Sequence, residues 1–190
     1  IVGPSGVGKT TLAHALCEEH DFAIAYEQHD ERPFQALFKQ DSKYALANQL
    51  DYLLFRAEQE YELRKGERPA LMDGGLDLDF HGFTRLFHMR GFLTEAEYEL
   101  CRRFYFLTRS LLPPPDLIIS LSADSQTISA RLAARNRINI ASSEDTFLVE
   151  EYVNEWLASI PESNVIKLNV SRENLDYAQS VPAILKKIKR

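Results

Sequence analysis

The sequence predicts an α/β protein: a P-loop kinase-like, doubly wound parallel sheet of about five strands, with helices on both faces and a short lid. Three observations lead to this prediction. Strand-like and helical stretches alternate, the strand-like runs are apolar throughout, and a Gly-rich loop separates the first strand from the first helix. At 190 residues, the chain is expected to form a single domain over residues 1–190.

Four short apolar runs are predicted strands. They cover residues 22–26, 70–72, 117–121 and 165–168, and Ile1-Val2 has the character of the end of another strand. Continuous apolar character is typical of strands that are covered on both faces. Because a first strand normally has more than two residues, we expect further sequence before Ile1.

Helical patterns fill the intervals between these runs. Residues 43–64 carry apolar side chains at helical spacing, and Thr94 with Glu97 forms a capping box that opens a helix to about Leu111. Further helices are predicted from residue 124 or 125 to 135, and over about 145–160. Residues 136–145, between the last two, are predicted to form a lid over bound phosphates.

The strongest single signal is the phosphate loop at residues 3–10, which fits the pattern Gly-x-x-x-x-Gly-Lys-Thr at every fixed position. In such loops backbone N–H groups surround a phosphate, the Lys reaches the β- and γ-phosphates, and the Thr hydroxyl binds Mg²⁺. The sequence therefore predicts ATP and Mg²⁺ as cofactors. The residues expected to bind the nucleotide here are Gly3, Ser5, Gly6, Val7, Gly8, Lys9, Thr10 and Thr11.

Two acidic residues each follow a predicted strand, Glu27 after the second and Asp73 after the third. Ligands of such sheets bind beyond the carboxyl ends of the strands, so both side chains are expected to point toward the phosphates. Glu27 is the candidate general base, which would take the proton of an acceptor hydroxyl. Asp73 is the candidate Mg²⁺ ligand opposite Thr10. A solvated carboxylate that ends a strand is the alternative for Glu27.

Composition restricts the partners. A net charge of −6 disfavours nucleic acid and favours small nucleotides. We expect no membrane partner, because no apolar run has membrane-spanning length and no signal peptide is evident. The two cysteines, Cys17 and Cys101, are expected to be reduced thiols, and a cytoplasmic location is expected. The five histidines show no metal-ligand spacing.

In their order and spacing these motifs resemble the deoxynucleoside kinase family of P-loop kinases. The resemblance runs to about Leu168 and includes residues 27–34, the helix with Gln49 and Arg56, and residues 79–106. It implies transfer of the γ-phosphoryl group of ATP to the 5′-hydroxyl of a deoxyribonucleoside, with Glu27 as the base. Gln49 would recognise the base edge, and Arg56 with Asp79 would line the pocket beyond it.

Three arginines precede or enter the predicted lid: Arg131, Arg135 and Arg137. Arg131 and Arg135 share a helical face and are expected to stabilise charge on the transferred group. Arg135 and Arg137 are also expected to contact the nucleotide. A solvated, charged helix end is the alternative.

The chain departs from the family pattern at two places. Where the family has an acid-Arg-Ser motif this chain has Asp73-Gly74-Gly75, so an Arg that helps to neutralise phosphate charge is absent. At the position of a sugar-binding Tyr the chain has Phe38 or Lys39, and Ile140 stands where the family lid has a carboxylate. Tyr44 and Phe80 are candidates to stack on the base.

Two other functions stay open from the sequence. A nucleoside monophosphate (thymidylate-like) kinase would need extra cations for the acceptor phosphate, which Arg32 or Lys39 could supply. A nucleotide-binding module with little catalysis would agree with Gly74. The resemblance also implies a homodimer formed through long helices. The sequence does not indicate the base preference.

Overall fold

The computed structural model describes residues 1–26, 31–133, 143–174 and 176–188, with the backbone alone at 143 and 144. Glu27, Arg135, Arg137 and Ile140 therefore lie outside the described residues, as do positions 136–142 of the predicted lid. Residues 143–145 begin a helix, in which Asp145 accepts a 2.9 Å hydrogen bond from Arg90 Nε.

Within the described residues, four strands form two parallel pairs. β1 (Ala23–Ala25) pairs with β2 (Ala70–Met72), and β3 (Ile118–Ser122) pairs with β4 (Val165–Asn169). The predicted strands exist, to within one residue at each end, but the count of about five is not confirmed. At the N-terminal position the described residues show an isolated bridge, between Val2 and Ser120.

The first two residues nevertheless lie between the two strand pairs. The amide of Gly74, just past β2, donates to the carbonyl of Ile1 at 3.0 Å. On the other side Val2 donates to Ile119 at 2.8 Å and accepts from Leu121 at 2.9 Å. These bonds bring the start of the phosphate loop next to the carboxyl ends of β2 and β3.

The helices alternate with the strands. In chain order they are α1 (Lys9–Glu19), α2 (Pro33–Phe38), α3 (Ala45–Arg64), α4 (Leu76–Leu78), α5 (Arg85–Met89), α6 (Glu95–Leu111), α7 (Ser125–Ala133), α8 (Ser143–Ala158) and α9 (Ser180–Ile188). A π-helix, Asp79–Thr84, joins α4 to α5, and 3₁₀ turns occur at Ser42–Tyr44 and Glu162–Asn164. Helices α3, α6 and α8 agree with the sequence predictions to within two residues. Helices α2 and α9 were not predicted, and neither was the segment that runs from α4 to α5.

Helix α6 begins where its sequence predicts. The Glu97 amide donates to the Thr94 hydroxyl at 3.3 Å, and the Glu97 carboxylate accepts from the Thr94 amide at 2.7 Å. This reciprocal pair satisfies two amides that the first turn of a helix leaves without intrahelical partners. The predicted capping box is therefore confirmed.

Strand β3 shows that helices cover both faces of the sheet. Ile119 packs in one core cluster with Leu16 of α1 and Ile184 of α9, whereas Ile118 packs in a second cluster with Trp156 of α8. Successive side chains of a strand point to opposite faces, so α1 and α9 cover one face and α8 covers the other. This agrees with the predicted fold class.

A third core cluster joins α3, α6 and the π-helix. Its centre is Phe80, whose ring stacks on Tyr105 at 4.1 Å between ring centroids. Phe80 is buried among protein side chains, so it is part of the core rather than a free ring for a base. Cys101 lies in the same cluster as a free thiol.

None of the helices in the described ranges is long and apolar enough to cross a membrane.

Candidate active site

The phosphate loop turns sharply from Val2 into helix α1. Gly8 caps α1 with a φ of +110°, a left-handed conformation that favours glycine. A Cβ at this position would collide with the hydroxyl of Tyr177, which is buried and donates to the Gly8 carbonyl at 3.3 Å. The loop therefore keeps its curled shape because a buried side chain supports it. Its amides lead into the N-terminus of α1, where the helix dipole favours an anion.

Lys9 is buried, and its ammonium group lies within the curl of the loop. The Nζ atom donates to the carbonyls of Gly3 at 3.1 Å and Pro4 at 3.2 Å. A buried ammonium needs anionic or hydrogen-bonding partners, and here the loop itself provides them. A phosphate that entered the loop would meet this cation directly.

Arg131 contacts the loop from the side of α7. Its Nη1 donates to the Val7 carbonyl at 2.5 Å, and its Nη2 donates to the Val170 carbonyl at 3.2 Å, just after β4. The guanidinium thus links the loop to the end of the sheet. Of the three arginines expected near the phosphates, this is the one that the structure describes.

Asp73 follows β2 directly and is completely buried. Its Oδ2 atom accepts a hydrogen bond from the Thr10 hydroxyl, and its Oδ1 atom has no partner among the described residues. Buried carboxylate oxygens are normally satisfied, by protein, water or an ion. Mg²⁺ prefers oxygen ligands and takes only one or two of them from the protein when phosphates supply others. Thr10 and the second oxygen of Asp73 therefore fit Mg²⁺.

The end of β1 lies beside Asp73. Ala25 is paired with Met72, and the Asp73 amide donates to the Ala25 carbonyl at 2.9 Å. The residues that follow both strands therefore leave the sheet at the same edge. The carbonyl of Tyr26 is held there by Gln59 of α3 at 3.1 Å. Glu27 comes next in the chain and lies outside the described residues.

A buried ion pair joins α3 to the π-helix. Arg56 Nε donates to Asp79 Oδ2 at 2.9 Å, and the two side chains are 4% and 9% exposed. The structure thus brings together two residues that the family resemblance implies for the base pocket. Both groups are nearly dry, so the pair depends on close geometry.

The same guanidinium lies over Gly74, the residue at which the chain departs from the family pattern. Gly74 has a φ of +82°, and a Cβ there would lie 3.1 Å from Arg56 Nη2. A cationic group from α3 is therefore present beside residue 74. Any side chain at this position would compete with Arg56 for space.

Gln49 is tied to the π-helix. It is 2% exposed, and its Nε2 donates to Thr84 Oγ1 at 2.8 Å and to the Asp79 carbonyl at 3.4 Å. The Thr84 hydroxyl donates to the same carbonyl at 3.0 Å. The π-helix therefore has its first carbonyl satisfied by side chains, and π-helical turns occur frequently at functional sites.

Of the three aromatic candidates, Phe38 and Tyr44 are partly exposed, unlike Phe80. Phe38, at the end of α2, packs its ring against Phe87 and Phe92, with centroid distances of 5.1 and 5.4 Å. Tyr44 precedes α3, and the ammonium of Lys43 lies 5.0 Å from the centre of its ring.

The two cations that a monophosphate kinase would need already have acidic partners. Arg32 makes two hydrogen bonds to Asp51, at 2.5 and 2.6 Å, and Lys39 contacts Glu31 at 2.5 Å. Hydrogen bonding to Asp51 raises the pKa of Arg32. The charges that an acceptor phosphate would use are therefore already balanced.

Sequence reasoning missed a buried polar network behind the site. Arg109 of α6 donates to Glu60 of α3 at 2.9 Å and to Asp77 of α4 at 2.7 Å. Tyr105 donates to Asp77 at 2.7 Å, and His81 contacts the Tyr105 hydroxyl at 3.1 Å. Burial raises the pKa of Tyr105, with Asp77 adding to the effect, and burial lowers the pKa of His81 to about 4.

This network fixes α4 against α3 and α6, and α4 leads directly into the π-helix. Thr84 and Tyr177, which support Gln49 and Gly8, were also missed. Their partners lie 35 and 169 positions away in the sequence. The only available signal was a polar residue within an apolar helical pattern, which does not identify a partner.

The loop, the acid at the strand edge and the two-faced sheet define a phosphotransferase of the P-loop kinase type. A family model described as deoxynucleoside kinase matches residues 1–190. The chain therefore belongs to the deoxynucleoside kinase family.

Two relatives show similarity over most of the chain. The deoxyguanosine kinase of Bacillus subtilis (strain 168) is 26% identical over 166 residues, which are 84% of this chain and 76% of the relative. The deoxyadenosine/deoxycytidine kinase of the same organism is 21% identical over 180 residues, which are 92% of this chain and 83% of the relative. The chain is thus a kinase of deoxynucleosides, as the motif order implied.

Solved structures confirm the fold. The deoxyadenosine kinase of M. mycoides with the products dCMP and dCDP has a TM-score of 0.81 at 19% identity, covering 99% of this chain and 96% of that chain. The same enzyme with bound dATP has a TM-score of 0.78 at 18% identity, covering 99% and 97%.

Proposed function

We propose that this kinase transfers the γ-phosphoryl group of ATP to the 5′-hydroxyl of a deoxyribonucleoside, with Mg²⁺ as the metal. One observation carries the proposal: a continuous arrangement from Lys9 and Thr10 through Asp73 to the Arg56–Asp79 pair. Its first part offers a cation and oxygen ligands, which suit a triphosphate with its metal. Its last part offers a buried donor and acceptor, which suit a base.

The donor side of the site is formed by the phosphate loop. Its amides and the Lys9 ammonium would hold the β- and γ-phosphates of ATP. On binding a phosphate, the Lys9 ammonium would give up its hydrogen bonds to the Gly3 and Pro4 carbonyls and bond to charged phosphate oxygens. Charged oxygens bind an ammonium more strongly than carbonyls do. The full set proposed to bind ATP is Gly3, Ser5, Gly6, Val7, Gly8, Lys9, Thr10, Thr11, Arg135 and Arg137.

Mg²⁺ would be held by Thr10 and Asp73. When bound, the metal would supply positive charge that stabilises the phosphate oxygens. The unpartnered Oδ1 of Asp73 supports this assignment, because a buried carboxylate oxygen needs a partner.

Glu27 would act as the general base. The preceding residue, Tyr26, lies at the strand edge where Asp73 meets Ala25, and ligands of such sheets bind beyond that edge. Glu27 would accept the proton of the 5′-hydroxyl as the new O–P bond forms, an effect worth about 10²–10⁴ in rate. Lys9, Arg131 and Arg135 would stabilise the charge on the transferred group.

The acceptor would lie between Glu27 and the π-helix. Gln49, Arg56 and Asp79 would recognise the base, and Phe38 and Tyr44 would line the remaining pocket. Residues 136–145 would close over the phosphates as a lid. The two relatives act by name on different bases, so similarity alone does not fix the base preference.

The exposed apolar face of α3 and α6 supports a homodimer. Leu54 on α3 and Leu100 and Leu107 on α6 are exposed, and a groove of about 650 Å³ runs beside Leu107. Glu58 and Arg103 are exposed on the same two faces. Two copies related by a two-fold axis could pair these charges crosswise while covering the apolar side chains.

The two free thiols agree with a reducing compartment such as the cytoplasm.

A phosphoryl-transfer screen tests the proposed reaction. The protein would be incubated with Mg²⁺ and γ-³²P-labelled ATP, and with deoxyadenosine, deoxycytidine, deoxyguanosine or thymidine in turn. We expect a labelled 5′-monophosphate from at least one of them. Glu27→Gln should lower kcat by about 10²–10⁴ with little change in the KM for ATP. Glu19→Gln, an exposed carboxylate on α1, is the matched control.

The screen also separates the other functions. Transfer to deoxynucleoside monophosphates, and to no deoxynucleoside, would replace the proposed acceptor. ATP binding without transfer, or turnover that Glu27→Gln leaves unchanged, would favour a nucleotide-binding module and contradict the role of Glu27.

A further inference from the structure

The hydrogen bonds around Thr84 fix the orientation of the Gln49 amide. The carbonyl of Asp79 only accepts, and the Thr84 hydroxyl donates its single proton to it at 3.0 Å. The Thr84 oxygen must then accept from Gln49, at 2.8 Å, and only Nε2 of that amide carries protons. A flipped amide would place Oε1 against the oxygens of both Thr84 and Asp79. The Asp79 carbonyl, which both groups share as an acceptor, therefore favours the orientation in which Nε2 faces Thr84 and Asp79.

This arrangement leaves the amide oxygen for a ligand. Within the part of the chain that the structure describes, both hydrogen bonds of the Gln49 side chain use Nε2, and Oε1 accepts none. Gln49 as a residue is 2% exposed, and among the described residues Oε1 is its unpaired acceptor. The partner that this oxygen can take is an N–H or O–H group.

We propose that Thr84 is a positioning residue that sets the base preference of this kinase. Through Thr84, Gln49 presents Oε1 to the base and accepts a hydrogen bond from the exocyclic amino group of adenine or cytosine. Guanine and thymine carry a carbonyl at the corresponding position, and two acceptors would face each other there. The inference rests on the proposed function, in which Gln49 faces the base.

Removal of the Thr84 hydroxyl should release the amide. Valine has nearly the same shape as threonine but offers no oxygen to Nε2, so Gln49 could rotate and present Nε2 to a carbonyl. Serine keeps the hydroxyl and should keep the orientation. The two variants therefore separate the hydrogen bond from the packing at this fully buried position.

The experiment compares kcat/KM for the four deoxynucleosides in the wild type, Thr84→Val and Thr84→Ser. We expect the wild type to prefer deoxyadenosine and deoxycytidine, and Thr84→Val to lower this preference about tenfold or more, mainly through KM. Thr84→Ser should retain it. Thr108→Val is the matched control, because this buried hydroxyl donates only within its own helix, to Phe104 at 2.9 Å.

An unchanged preference in Thr84→Val, or a wild-type preference for deoxyguanosine and thymidine, would overturn the inference while leaving the kinase activity intact. If Thr84→Val does not fold, Thr84→Ala removes the same oxygen without adding a methyl group to the site. If the wild type phosphorylates no deoxynucleoside, the proposed function fails separately. Calorimetry then measures the affinities of the wild type and of Thr84→Val for deoxyadenosine and deoxyguanosine. If the ratio of the two affinities is the same in the wild type and in Thr84→Val, the proposed role of Thr84 is wrong.

Discussion

Gly74→Ala should destabilise the protein and weaken nucleoside binding at the same time. The backbone at Gly74 has a φ of +82°, which costs an L residue about 1–2 kcal/mol. The added Cβ would lie 3.1 Å from Arg56 Nη2 and 3.6 Å from its Cζ, so the guanidinium must move. Movement weakens the 2.9 Å bond to Asp79, a charged hydrogen bond worth about 1.5–3 kcal/mol, of which we assign about 1 kcal/mol to the shift.

The free energy of unfolding should therefore fall by about 2–3 kcal/mol, which for a domain of this size lowers Tm by about 4–12 °C. Thermal melting followed by circular dichroism measures this change. In a steady-state assay the KM for the deoxynucleoside should rise about fivefold, since about 1 kcal/mol is lost at the pocket, and the KM for ATP should stay the same.

Two other glycines separate the cost of the left-handed backbone from the cost of displacing Arg56. Gly91 has a φ of +72°, and no atom lies within 4 Å of the position that an alanine methyl group would take, so Gly91→Ala should show the backbone cost alone and leave nucleoside binding unchanged. Gly66 is outside the left-handed region and has ordinary space, so Gly66→Ala should not destabilise. If Gly74→Ala melts no lower than Gly91→Ala and keeps the wild-type KM, the assigned role of Arg56 beside residue 74 is wrong.

Three further predictions concern the network, its pH dependence and assembly. Arg109→Met leaves Asp77 as a buried carboxylate without its cation and Glu60 with Arg64 as its cation, and should cost about 3–5 kcal/mol in chemical denaturation. Arg102→Met, at an exposed pair, should leave the midpoint nearly unchanged. Burial lowers the pKa of folded His81 to about 4, so the unfolded chain, with a pKa of 6.5, binds a proton first. The stabilisation is complete above pH 6.5 and should decline by about 2–3 kcal/mol toward pH 4, and His81→Gln should flatten this part of the curve. Leu107→Glu should turn a dimer into a monomer in light scattering, whereas Phe147→Glu, at another exposed apolar side chain, should not; a wild type that is already monomeric contradicts the proposed interface.

Much of the framework could be predicted because its signals are local. The phosphate loop has fixed spacing, the helix at 95–111 has its own capping box, and α3 has a long amphipathic pattern. Short elements were harder, since α2 and α9 have six and nine residues and each has a proline in its first turn. The segment from Leu76 to Met89 escaped prediction because its π-helical turn breaks the 3.6-residue period.

The site could be predicted in part for the same reason. Asp73 and Glu27 were proposed from their positions after strands, and Gln49 and Arg56 from one helical face together with the family resemblance. Two neighbours of these residues could not be predicted, because Thr84 meets Gln49 and Gly74 meets Arg56 only through the packing of distant segments. In particular, the sequence shows that an arginine is absent after Asp73, but only the structure shows that Arg56 lies over the vacant side-chain position.

The number of residues in the π-helical turn at 79–84 determines the direction in which the side chains of α5 point. In an α-helix each residue advances the chain by about 100° and 1.5 Å. Deleting one residue from this turn would rotate α5 by about that angle, and would swing the buried Leu86 and Phe87 out of the hydrophobic interior. The register of everything that follows, up to the start of α6, therefore depends on keeping this turn at its full number of residues.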